Sequence, residues 1–151
     1  MSFFLLYAVE ADAWKSFDKV AVKSVMKRVA DWQIANPNKG AEHDDLDWTH
    51  AALYMGMVDW AELTEKEDAD DSYFQWLLRI GKRNHFQVGK WMYHADFIAV
   101  GQPFIDLYSK YGNKKMIAPV MARANWVVEN PAEVALALDY GKLETLDRWS
   151  W

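Results

Sequence analysis

No cysteine occurs in the 151 residues. That excludes a disulfide framework and a thiolate metal site, and it leaves the redox compartment open. Chain breakers are scarce as well, with 7 Gly and 4 Pro, which argues against a turn-rich sandwich and for helices. Basic charge is in deficit: 17 Lys and Arg face 22 Asp and Glu, for a net charge of −5. A chain with no basic stripe cannot neutralise a run of phosphates, so nucleic acid is excluded as a partner. No apolar run reaches the roughly 18 residues of a membrane span. The N-terminal Phe3-Phe4-Leu5-Leu6-Tyr7-Ala8-Val9, followed by Ala11-Asp12-Ala13, has the look of the end of a secretion signal without its basic start. A short apolar segment that packs on the core is the expectation there. Cytoplasmic and periplasmic locations both remain open.

Apolar and aromatic side chains are what the chain has in quantity. Hydrophobic residues make up 52% and aromatics 15%, including 9 Trp. That composition excludes disorder, and the length suits one domain, residues 1–151, with a core of its own. So many indole and phenol rings serve either a large core or an aromatic groove for a flat ligand such as a sugar ring.

Taken in order, residues 18–35 read as an amphipathic helix. Val22, Val25, Met26, Val29 and Trp32 or Gln33 follow helical spacing, Lys19, Lys23, Lys27 and Arg28 lie on the other side, and Asn36-Pro37-Asn38 stops it. A polar loop leads to a second helix from about Asp47, its N-cap, to Thr64, apolar nearly all round. Asp44, Asp45 and Asp47 lack the glycine and spacing of a calcium loop and read as a solvated loop with one cap. An acidic loop, Glu65 to Asp71, precedes a third helix from about Ser72 to Asn84. After a loop of large side chains, the stretch Tyr93 to Tyr108 supplies a fourth helix that ends at Gly112, with Pro103 as a kink or a first turn. A fifth spans about Lys114 to Glu129, with Pro119 expected to kink it. A short apolar piece, Val134 to Leu138, follows.

The first, third and fifth helices are amphipathic, and the second and fourth are apolar nearly all round. This predicts an all-α fold of alternating inner and outer helices. In an up-down array the inner helices run in one direction, and their N-terminal ends share a face. Trp48, His50, His94 and Asp96 fall on that face. A carboxylate at the mouth of a buried helix is either a cap or a reagent, and spacing alone leaves both open.

Three separated motifs occur in one order: Asp47-Trp48-Thr49-His50-Ala51-Ala52-Leu53-Tyr54-Met55-Gly56; Tyr93-His94-Ala95-Asp96 with Gly101-Gln102 and Asp106-Leu107-Tyr108; and Arg148-Trp149-Ser150-Trp151. Together they resemble the unsaturated rhamnogalacturonyl hydrolases of glycoside hydrolase family 105, relatives of the unsaturated glucuronyl hydrolases of family 88. The resemblance runs from about residue 22 to the end of the chain. It implies a partial (α/α)6 barrel of helical hairpins, and an enzyme that removes a terminal 4,5-unsaturated uronic sugar from pectin-derived oligosaccharides. It implies that an Asp protonates the vinyl-ether double bond, that water adds at C5, and that the resulting hemiketal opens to release the sugar. No metal or organic cofactor is implied.

The chain departs from the family in two ways. Family members commonly double the acid of the second motif, and here Asp96 is followed by Phe97. Family barrels are also more than twice as long, and in them the Trp-Ser-Trp type motif leads into a second Asp. The expectation is therefore an N-terminal portion of the barrel. Asp96 is the functional carboxylate, and Trp48, His50, His94, Trp149 and Trp151 are the substrate-contacting side chains. Each also has a bland reading: a cap for Asp96, satisfied core or loop residues for His50 and His94, and hydrophobic plugs for the tryptophans. Lys90 reads as a solvated lysine. The expected partner is an unsaturated uronide oligosaccharide. Inner helices with an open flank predict self-association, or pairing with the rest of a barrel. The reading from another class is a non-catalytic helical module that binds sugars or proteins through an aromatic cleft.

Overall fold

The structure, a computed structural model, describes residues 18–37 and 44–133, and every regular element among them is helical. Trp149, Trp151 and the segment Val134 to Leu138 lie outside the described residues. The chain divides into two compact units, Met1–Lys39 and Gly40–Trp151, and each is taken by itself.

The first unit holds α1, Lys19–Ala35. The Asp18 carboxylate accepts from Ala21 N and caps its start, and Asn36 closes its end by donating to Trp32 O from both its backbone and its side chain. The boundaries are those the sequence suggests, but the buried face is not. Val22, Val25, Met26, Val29 and Trp32 are exposed, Val29 by 61%. The less accessible line runs through Lys23, Ala30 and Ile34, about a third of a turn away at 3.6 residues per turn. Ala30 is the buried residue of this helix.

In the second unit α2, Trp48–Asp68, is the central element, and it packs against α3 (Ser72–Arg83), α4 (Ala95–Ala99) and α5 (Gly101–Tyr111). The Asp47 carboxylate caps α2 through Thr49 N at 3.1 Å. The helix continues four residues beyond Thr64, through what reads as an acidic loop. Glu and Lys are good helix formers, and Glu65 is paired with Lys110 of α5. Ala69, with φ +55°, turns the chain out. Thr64 is buried and satisfied, because its hydroxyl donates within reach of Trp60 O, Ala61 O and Asp70 O. Apolar composition all round does not mean burial all round. Trp48, Ala52, Met55, Asp59 and Glu62 form an exposed line along α2, at the i, i+4, i+7 spacing of one helix face.

The core is made by α2, α3 and α5. Tyr54, Tyr73, Phe74, Leu77, Val100, Phe104 and Leu107 are almost fully enclosed. Edge-to-face pairs Tyr54–Trp76, Trp60–Tyr73 and Phe86–Phe104 join the elements. The α3 helix keeps Ser72, Gln75, Arg79, Lys82 and Arg83 in water and buries the rest, as an amphipathic helix should. Its end folds back: His85 and Phe86 take positive φ, and Phe86 N donates to Gly81 O at 2.8 Å. A Cβ on Gly81 would meet the Phe86 ring at 2.3 Å, so only glycine admits this turn.

The expected fourth helix is two helices, α4 and α5, broken at Val100. Pro103 explains the break. It offers no N–H to the carbonyl four residues back, that of Ala99, and its ring crowds the same oxygen. Ala99 is the last residue of α4. Gly112, φ +67°, ends α5 as expected. The expected fifth helix is likewise divided into a 3-10 turn, Lys114–Met116, and α6, Ala118–Glu129. Pro119 starts α6 instead of kinking a longer helix, since a first-turn proline sacrifices no intrahelical bond.

Candidate active site

The acid motif lies on the turn into α4. His94 occupies the N-cap position without a side-chain cap bond, and Asp96 is the second helical residue. Asp96 is therefore not the cap. Its side chain is 18% exposed, and Oδ2 lies 3.9 Å from Nδ1 of the buried His94. At that separation the contact is electrostatic and not a direct hydrogen bond.

Rings fix the His94 imidazole. Trp91, His94 and Phe97 contact one another pairwise, with centroids 5.2 to 5.4 Å apart. Gly89 N donates to Phe97 O at 2.6 Å and joins the preceding loop to α4. A Cβ at Gly89 would stand 2.2 Å from Phe97 Cδ1, so the ring occupies the space that any other residue's side chain would need. Helix α6 supports the same loop. Arg123 donates from Nη1 to Trp91 O and from Nη2 to Gly89 O, both at 2.7 Å. Tyr93 packs on Trp126 and donates to Asn130 O. Lys90 is exposed, and its Nζ stands 6.0 Å from the centroid of the Trp91 ring.

Trp48 and His50 sit on the first turn of α2. Trp48 is 48% exposed. His50 is buried, stacks on Tyr54, and sets Nδ1 2.7 Å from Asp44 O. A carbonyl only accepts, so Nδ1 carries the proton. His50 contacts Asp44 and Tyr54, and His94 contacts Trp91, Asp96 and Phe97. The structure brings His94 and Asp96 together directly, and α4 packs against α2.

The aspartate loop is not simply solvated. Asp45 accepts from Arg83 Nε at 2.6 Å and from Arg83 Nη2, from Asn84 Nδ2 at 2.7 Å, and more distantly from Tyr54 Oη. The hydrogen bond to Asp45 raises the Arg83 pKa. Burial, then the Asp45 charge, pushes the Tyr54 phenol well above its ordinary value. This carboxylate ties the entry of α2 to the exit of α3.

Sequence reasoning missed Asp45, Arg83, Trp91 and Arg123 as supports of the region. Nothing in local spacing announces partners 32 to 38 positions apart. Trp91 carried a signal, a large ring three residues before His94, but loop residues have no periodicity to aim them. Among the described residues no group of three or more His, Asp or Glu side chains is arranged to hold a metal ion.

A half-buried carboxylate beside an enclosed imidazole, with rings alongside, is equipped to exchange a proton with a polar ligand and to hold water or hydroxyl groups. The chain is 24% identical over 142 residues to an unsaturated 3S-rhamnoglycuronyl hydrolase from Alteromonas sp. (strain LOR), an alignment that covers 85% of this chain and 33% of the relative. No solved structure matches. The family model described as Glycosyl Hydrolase Family 88 matches residues 19–151, so the chain belongs to glycosyl hydrolase family 88.

Proposed function

We propose that this chain serves a glycoside hydrolase of the unsaturated rhamnogalacturonyl hydrolase type, acting on oligosaccharides that end in a 4,5-unsaturated uronic acid. The observation that carries the reading is the Asp96 carboxylate held beside His94, in a chain of this family. In the reaction a carboxylic acid protonates the vinyl-ether double bond, water adds at C5, and the hemiketal opens to free the sugar. Acid–base chemistry on a sugar usually takes two carboxyl groups of different proton affinity. Asp96 is the member that orients water or substrate and tunes its partner. The indole of Trp48 stacks on the sugar, with Trp149 and Trp151 assigned the same work and His94 placed against the uronate. The fold expected with this chemistry is the N-terminal portion of an (α/α)6 barrel, with α2 as an inner helix.

The test follows the ultraviolet absorbance of an unsaturated rhamnogalacturonan disaccharide. Its loss is expected with the protein, and Asp96→Asn should slow that loss by about 10²-fold or more with no change in melting temperature. If absorbance persists across a panel of unsaturated uronides, the reading is wrong.

A second reading is a helical module that binds carbohydrate or protein without catalysis of its own. The chain spans about a third of the curated relative it matches. Turnover by the 151-residue chain itself would exclude this reading.

A further inference from the structure

We infer that Arg123 is a positioning residue for His94 and Asp96, an inference that rests on the proposed role of Asp96. The α6 helix that carries it has no buried residue, so it adds little to the apolar core. It holds the site loop through polar and ring contacts instead. The Arg123 guanidinium reaches two carbonyls, Gly89 O and Trp91 O, at 2.7 Å each. These oxygens flank Lys90, and one planar fork spans both.

Each grip leads to the site by a separate route. Gly89 donates to Phe97 O, and Phe97 is the neighbour of Asp96. Trp91 presents the ring against which His94 packs, and the His94 imidazole faces the Asp96 carboxylate. Fixing the backbone at both ends of residues 89–91 therefore sets the indole, the imidazole and the carboxylate relative to one another. Arginine is the residue type this requires. A guanidinium offers several N–H groups in a rigid plane, whereas a lysine ammonium is a point charge on a flexible stem that does not reproduce the fork.

The test compares the wild-type chain with Arg123→Lys and Arg123→Gln. Three readouts are taken: helical content and melting by circular dichroism, the carbon-bound imidazole resonances of His94 by NMR, and the Kd for a 4,5-unsaturated digalacturonate. Because the Trp91 ring current depends on distance and angle, the His94 resonances report the placement of that ring. Both variants should keep the helical spectrum. The Gln variant should shift the His94 resonances and raise Kd tenfold or more, and the Lys variant should do so by less.

Unmoved His94 resonances with an unchanged Kd in the Gln variant would overturn the inference. So would unfolding of both variants, which would make Arg123 a folding residue. A wild-type chain with no affinity for any unsaturated uronide would sink the substrate reading alone. In that case the His94 resonances of the variants still decide whether the clamp positions the site.

Discussion

Tyr54 keeps its proton in the folded chain at a pH where an unfolded chain gives it up. Burial dominates the shift, and the Asp45 charge adds to it. The folded pKa lies above the unfolded one, so the associated stability is complete below about pH 10, the ordinary phenol value, and is lost as the pH climbs towards the folded pKa. Melting temperature should therefore fall above about pH 10, and Tyr54→Phe should flatten that fall. Melts across the alkaline range measure it, and the same slope in the Phe variant would contradict it. The carboxylate next to this phenol supports a second expectation. Asp45→Ala removes the acceptor shared by Arg83 and Asn84 and should cost about 1–2 kcal/mol, read from the urea midpoint at constant m. Arg83 is about half exposed, so the ion pair itself contributes little. The loss resides in the part-buried Asn84 bond.

At the scale of elements, prolines and glycines decide where helices begin and end. Gly112 has φ +67° and open space around a Cβ position, so the penalty of a side chain there is backbone strain alone. Gly112→Ala should lower stability by about 1 kcal/mol, measured by chemical denaturation, and a neutral result would mean that the turn had rearranged. This level of structure was largely legible in the chain. Asp47, Asn36-Pro37 and Gly112 mark ends with local chemistry, and local chemistry is what a sequence displays. Pro103 was legible as a first-turn residue, and Pro119 was visible too, although it starts a helix where a kink is expected. The region of the site was legible in part. His94 and Asp96 are near in sequence and near in space. Asp45 with Arg83, and Arg123 with the 89–91 carbonyls, are joined only by the packing of distant elements, and no spacing rule reaches that far. The face that α1 turns inward was not legible either, because a helix with apolar residues at two angles does not declare which one is covered.

For the whole molecule, the notable quantity is apolar side chains left in water. Val22, Val25, Met26, Val29 and Trp32 on α1, and Met121, Trp126 and Val128 on α6, are all exposed, Val128 by 80%. Isolated exposed apolar residues are ordinary, whereas grouped ones along a helix favour association. The expected outcome is concentration-dependent self-association. Light scattering measures this, and Val29→Lys should reduce it. A monodisperse monomer at high concentration would count against it. No helix among the described residues is long and apolar enough to cross a membrane.

The contact between Gly89 and Phe97 limits how this part of the family can vary. The Phe97 ring fills the space beside a residue that has no side chain. A smaller side chain at 97 gives up the ring that packs on Trp91 and His94, while a side chain at 89 leaves no room for that ring. Positions 89 and 97 should therefore change together across homologues.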